Sequence, residues 1–162
     1  ATVLNSVPSI STLTNAGKAT IKGIEIDGSW LATDSLRFDF SYGVTDAKYD
    51  ELLGIACPPC GDKTQPTDLE FDKLAPWTAN LSVTYTKDIG PGELSTRVSY
   101  SRRPEYDTDF RNTVALRQEA FGLLDASIGY DFGPWNVSLW GRNLENTEFV
   151  DIISLGLGYQ AY

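Results

Sequence analysis

Three observations predict an all-β chain of antiparallel, up-and-down strands. Apolar and polar residues alternate in six separate stretches, no segment carries a helical period, and the connections alternate strictly between short and long. In KGIEIDGSW, Ile24, Ile26, Gly28 and Trp30 share one face and Gly23, Glu25, Asp27 and Ser29 the other. LRFDFSYGVT sets Leu36, Phe38, Phe40, Tyr42 and Val44 against Arg37, Asp39, Ser41, Gly43 and Thr45. A third strand places Trp77, Ala79, Leu81, Val83 and Tyr85 opposite Thr78, Asn80, Ser82, Thr84 and Thr86, and a fourth places Leu94, Val98 and Tyr100 opposite Ser95, Arg97, Ser99 and Ser101. The fifth opposes Leu124, Ala126, Ile128 and Tyr130 to Asp125, Ser127, Gly129 and Asp131, and the sixth opposes Trp135, Val137 and Leu139 to Asn136, Ser138, Trp140 and Arg142.

The connections order these strands. LATDS, KDIGPGE and FGP are tight turns after the first, third and fifth strands, whereas the links from Val44 to Trp77, from Ser101 to Leu124 and beyond Leu144 are long. That pattern is what hairpins standing upright with all their tight turns at one end require. Matching the apolar faces of the first hairpin pairs even residues with even. A five-residue loop, Leu31 to Ser35, then sets Trp30 opposite Leu36 and Gly28 opposite Phe38, whose ring would cover the bare glycine backbone.

What the apolar faces meet decides the function class. The polar faces carry Ser, Thr, Asn and Gly with scattered opposite charges, which suits the water-filled interior of a large barrel. Trp30, Trp77, Tyr100, Tyr130 and Trp135 gather toward strand ends, where interfacial girdles lie. Regular turn alternation also separates a barrel from a Greek-key sandwich. The residues read as lipid-facing are therefore Ile24, Ile26, Trp30, Leu36, Phe38, Phe40, Tyr42, Leu81, Val83, Tyr85, Val98, Tyr100, Ile128, Tyr130, Val137 and Leu139. Those read as lumen-facing are Glu25, Asp27, Arg37, Asp39, Arg97, Asp125 and Arg142. A soluble extracellular β-sandwich that binds carbohydrate or protein, and an unplugged porin, are the alternatives.

Composition narrows the rest. A net charge of -9 argues against nucleic acid, whose phosphates need a basic surface. The absence of His removes imidazole-based nucleophile arrangements and most zinc sites, and no other catalytic constellation, cofactor motif or metal-ligand spacing replaces them, so no enzyme is expected. No apolar run reaches transmembrane-helix length. Six strands cannot close a membrane barrel, because lipid tolerates no open sheet edge. Either several chains assemble or the 162 residues are part of a longer polypeptide, and the absence of Met favours the second.

The motifs NAGKATIKGIEIDGSW, SYGVTDAKYDE, APWTANLSVTY, FGLLDASIGYDF and WNVSLWGRNLENTEFVD, in this order, resemble the late barrel strands of TonB-dependent outer-membrane receptors, with GRNL followed by an aromatic marking the penultimate strand. The resemblance covers almost the whole chain, 1–162, as the C-terminal portion of such a barrel. It implies a large plugged barrel in a Gram-negative outer membrane, with long loops extracellular and short turns periplasmic. Such a receptor imports a scarce ligand such as a ferric siderophore, driven through the TonB complex by way of a plug domain that this chain lacks. Its partners are then outer-membrane lipid, TonB and a small metal chelate. Family members finish with one more strand, whereas this chain stops at GLGYQAY, where the last extracellular loop should still be running.

Within RRPEYDTDFR, Arg102, Arg103, Tyr106 and Arg111 are the ligand candidates of the extracellular loops, because guanidinium forks beside an aromatic ring suit carboxylate or catecholate groups. Ion pairs to Glu105, Asp107 and Asp109 explain the same residues equally well. Cys57-Pro-Pro-Cys60 lies in the longest loop with neither a βαβ context nor a second C-x-x-C, and reads as a disulfide pinching an exposed loop. The acidic residues around it, Asp50, Glu51, Asp62, Asp68, Glu70 and Asp72, read as a solvated charged loop.

Overall fold

Alternation of this kind satisfies a backbone only if each strand finds a neighbour on both sides. The computed structural model describes residues 17–52, 68–110 and 112–150, and arranges them as one six-stranded antiparallel sheet in sequential order. The strands are β1 (Gly17–Thr33), β2 (Leu36–Leu52), β3 (Trp77–Ile89), β4 (Gly92–Arg103), β5 (Phe121–Phe132) and β6 (Trp135–Gly141). A short 3-10 turn, Val114–Leu116, lies in the connection between β4 and β5.

Every ladder sets the apolar alternates of one strand against those of the next. Ile24 pairs with Val44, Ile26 with Tyr42, and Trp30 with Phe38. Phe40 pairs with Leu81, and Leu81 in turn with Tyr100. Val98 pairs with Ala126, Ile128 with Leu139, and Tyr130 with Val137. Directly opposed residues lie on one side of a sheet, so the apolar set forms one continuous face. The polar rows run as continuously on the other side. Ser29, Asp39, Ser82, Ser99 and Asp125 make one row, and Leu31, Arg37, Thr84, Arg97, Ser127 and Trp140 the next.

Among the described residues, nothing forms a second layer over the apolar face. Leu139 is 73% exposed and Ile24 70%, and Trp30, Leu81 and Val137 are also exposed. The apolar stretches 36–44, 77–85 and 124–132 are each nine residues long. Nine residues span about 30 Å along a strand, or about 20–25 Å once tilted by the usual ~45°, which matches the height of a barrel's apolar band. Aromatic pairs mark both ends of the band. Trp30 stacks on Phe38 at 5.4 Å and Tyr130 on Phe132 at 5.3 Å toward the tight turns, and Tyr42 approaches Trp77 at 6.2 Å toward the long loops.

The first hairpin differs from the sequence expectation. Trp30 faces Phe38, not Leu36, and Gly28 faces Phe40, not Phe38. The strands run on through LATDS, so the turn is only Asp34-Ser35, with Ala32 as an extra residue between the Leu31–Arg37 and Thr33–Leu36 pairs. A bulge next to the turn absorbs the odd residue, so parity survives a two-residue shift in register. The aromatic cover of Gly28 survives too: a Cβ there would meet Phe40 Cζ at 2.6 Å. KDIGPGE and FGP likewise tighten to Gly90-Pro91 and Gly133-Pro134. Gly90 and Gly133 take φ of 59° and 55°, the left-handed geometry a first central hairpin residue needs. At the other end the sixth strand stops at Gly141, one residue before Arg142, and β2 continues to Leu52, so the second connection starts later than the alternation alone implied.

Candidate functional site

Two places concentrate polar chemistry: the cluster of long connections at one end of the sheet, and the polar face of the wall. At the loop end, Pro104 follows the last residue of β4 and cannot donate to a ladder. The chain then narrows into a ribbon joined by one antiparallel bridge. The Tyr106 N–H donates to Gln118 O at 3.1 Å and the Gln118 N–H returns to Tyr106 O at 3.0 Å. At its tip, the Asp109 carboxylate accepts from the Thr113 N–H at 2.8 Å and the Thr113 hydroxyl at 2.9 Å.

Asn112 latches this ribbon to the neighbouring connection. It sits at φ 51°, a conformation that Asn tolerates better than most residues, and is 2% exposed. Its side-chain amide reads the Glu70 backbone as a strand would. The Glu70 N–H donates to Asn112 Oδ1 at 2.6 Å, and Asn112 Nδ2 donates to Glu70 O at 3.0 Å. The Lys73 N–H adds a bond to Asp107 O at 2.7 Å, and Tyr49 of β2 stacks on Phe71 at 4.1 Å. From the other side, the Val150 N–H donates to Gln118 Oε1 at 2.6 Å and Phe149 stacks on Phe121 at 4.8 Å. Segments 68–73, 104–120 and 147–150 are thereby tied together.

An ion pair sits inside the ribbon. The Asp107 side chain is 1% exposed and accepts from Arg117 Nε at 3.0 Å. Hydrogen bonding to Asp107, then its charge, holds the Arg117 guanidinium protonated beyond its ordinary range. The Thr108 hydroxyl donates to Leu116 O and closes the same turn.

The RNLENT segment shapes the end of β6. Asn143 and Asn146 take φ of 48° and 52°, the Asn143 side chain brackets Thr147 with two bonds, and its backbone N–H donates to Asp125 Oδ1 at 2.8 Å. A Cβ on Gly141 would meet Leu144 Cδ2 at 2.6 Å, so the motif's glycine admits the leucine.

On the polar face, Arg37 is neutralised by Asp39 at 2.7 Å and also donates to Ser29 Oγ at 3.1 Å. Arg97 donates to Ser82 Oγ at 3.0 Å, and Ser82 is buried at 3% exposure. Arg142 lies over the Trp140 ring at 5.5 Å.

The predicted ligand residues are not brought together. Arg102 and Arg103 belong to β4 and not to the loop, and as strand neighbours they point to opposite faces, Arg102 with Tyr100 and Val98, Arg103 with Ser101 and Ser99. Tyr106 is 7% exposed, in the ribbon's bridge. Arg111, Cys57 and Cys60 lie outside the described residues. Asp107, which the sequence offered only as a surface partner for nearby arginines, pairs instead with Arg117, ten residues on. Sequence reasoning did not single out Asn112 or Arg117. A lone Asn in a polar stretch gives no periodic signal, and its partner Glu70 is 42 residues away.

The comparisons with known proteins agree with this architecture. The family model of the TonB-dependent receptor-like β-barrel matches residues 1–144. Among solved structures, the ferric yersiniabactin uptake receptor FyuA from Yersinia pestis superposes with a TM-score of 0.70 at 24% sequence identity, over 85% of this chain and 20% of that receptor. The chain thus spans about a fifth of the length of that receptor, and a likeness at this identity speaks for the fold. With most of its length under the family model and six up-and-down strands in one ladder, the chain belongs to the TonB-dependent receptor β-barrel family.

Proposed function

We propose that this chain is a stretch of the wall and outer loops of an outer-membrane active-transport receptor that takes up a scarce ligand such as a ferric siderophore, with energy relayed through TonB by a plug domain. The single observation that carries the reading is the contrast between the two faces of one sheet. One face is continuously apolar and uncovered, the other Ser-, Thr- and charge-lined. Hydrocarbon fits the first and a hydrated interior the second. A β-sandwich would cover the apolar face with a second sheet, and the described residues form only one.

In this reading the tight turns Asp34-Ser35, Gly90-Pro91 and Gly133-Pro134 are periplasmic and the tied loop cluster is extracellular. Arg103, on the polar side, and Arg111 remain the ligand candidates of the outer mouth. Arg102, on the apolar side with Tyr42 and Ala79 in its row, sits at the headgroup level. The reading keeps Cys57 and Cys60, outside the described residues, as a disulfide pair of the long second connection. A metal chelate is the ligand class that FyuA's name carries for FyuA.

Growth of a deletion strain on single ferric-chelate sources tests the assignment. Loss of growth on one source, reproduced by removing TonB, is expected. Unimpaired growth on every source under iron limitation would contradict it.

A further inference from the structure

The four arginines with described contacts fall into two groups. Arg37 and Arg117 are each neutralised by a carboxylate, Asp39 and Asp107. Arg97 and Arg142 have no ion pair among the described residues, yet they line one depression on the polar face together with Ser99, Asp125, Ser127 and Trp140. Asp125, the one carboxylate there, accepts the Asn143 backbone N–H. Two guanidiniums against one carboxylate leave a local surplus of positive charge in a chain whose net charge is -9. Trp140 is the second anomaly. Among the residues that line the depression it is the one aromatic, and the indole stands 68% exposed, with Arg142 over its ring at 5.5 Å.

We propose that Arg97, Trp140 and Arg142 form a binding subsite for a planar aromatic carboxylate on the interior wall. The guanidinium forks take the carboxylate oxygens, and the indole offers a flat surface to the ring. Charge alone would accept any anion. The exposed Trp140 is what selects a planar one. Arg97 is already aimed, because its bond to Ser82 Oγ fixes one end of the fork. The proposal rests on the reading that this face meets a hydrated interior.

The test is a ligand-observed NMR titration of the intact receptor in detergent with benzoate, with acetate and benzyl alcohol as the carboxylate-only and ring-only controls. Benzoate is expected to bind more tightly than either control. Arg97→Gln and Arg142→Gln should each weaken it about tenfold, the worth of one charge-assisted contact. Trp140→Leu should weaken benzoate about fivefold and leave acetate unchanged. Arg142→Lys, which keeps the charge and loses the fork, should fall between, and it serves where the Gln variant fails to fold. Equal binding of benzoate and acetate, or benzoate binding indifferent to both arginines, overturns the proposal. So does a parent receptor that binds no benzoate while the Gln variants lose thermal stability, since the guanidiniums would then serve a carboxylate of the receptor's own interior. A spin label at Ser138 reads the underlying assumption separately: access by an aqueous nickel chelate upholds a hydrated face even where the subsite fails.

Discussion

The strand wall and the loop cluster are built on opposite principles. In the wall, side chains bury little of one another, and the ladder of backbone hydrogen bonds is the main internal tie. Large apolar groups such as Ile24 and Leu139 stand uncovered, and apart from Phe121 and Gly122 at the loop end of β5, Ser82 is the one buried residue of the described strands. The loop cluster carries the molecule's own interior: Leu69, Tyr106, Asp107, Thr108, Asn112, Gln118 and Phe121 are all buried there. In the reading proposed above, the wall takes its apolar environment from the membrane, whereas the loops, facing water, supply their own. What looks like an unfinished protein along the strands is a packed one at their loop end.

If that contrast is right, the largest effect should come from a charge placed on the apolar face. Leu81→Arg should cost about 3 kcal/mol of folding stability in phospholipid vesicles, the depth-dependent cost of a cation in hydrocarbon, while Asn80→Arg, one residue away on the polar face, should cost under about 1 kcal/mol. Denaturant titration of the intact receptor reads both, and equal costs would erase the distinction between the faces.

In the loop cluster the largest effect should come from Arg117→Gln. This leaves the 1% exposed Asp107 carboxylate without its counter-ion. A loss of about 2 kcal/mol is expected, because solvent access to the 32% exposed guanidinium keeps it below the full penalty of a wholly buried pair. Limited proteolysis of the 104–120 ribbon would detect it while leaving the wall intact. Arg117 titrates above its ordinary range, so its contribution is fully present below that range and is lost only as the pH rises through the raised value. Its share of the clasp should therefore not change between about pH 5 and pH 9.

Asn112→Ala should have a somewhat smaller effect, about 1–2 kcal/mol, from two lost bonds to Glu70 and a strained left-handed backbone. Asn112→Gly sharpens the point, since it relieves the strain but not the missing bonds. Faster hydrogen exchange at the Glu70 amide in both variants is expected. The smallest effect belongs to the wall's turns. Gly133→Ala meets open space, so only the cost of φ 55° remains, about 1 kcal/mol, seen as a small drop in the denaturation midpoint.

The same contrast explains what the sequence made legible. Two-residue periodicity specified which residues share a face, because Phe38, Phe40, Leu81 and Val83 must all leave water together, and the structure keeps every one of these parities. Parity does not choose between registers two residues apart, however. The bulge at Ala32 and the Asp34-Ser35 turn decided that, and neither has an apolar signal. The loop cluster was opaque for a deeper reason. It is held by single side chains reading distant backbones, as Asn112 reads Glu70 and Gln118 reads Val150, and such bonds leave no pattern along the chain. Trp140 was visible on the polar face from alternation alone, but its convergence with Arg97 and Arg142 needed the β4–β5–β6 ladders.

The most direct test of the account is a spin-label scan of residues 80 to 84 of β3 in outer-membrane vesicles, with molecular oxygen as the lipid-soluble relaxant and a nickel chelate as the aqueous one. Labels at Leu81 and Val83 should respond to oxygen, and those at Asn80, Ser82 and Thr84 to nickel or to neither. Labels at Leu81 and Val83 shielded from both relaxants would mean that protein covers the apolar face, and the membrane wall described here would not stand.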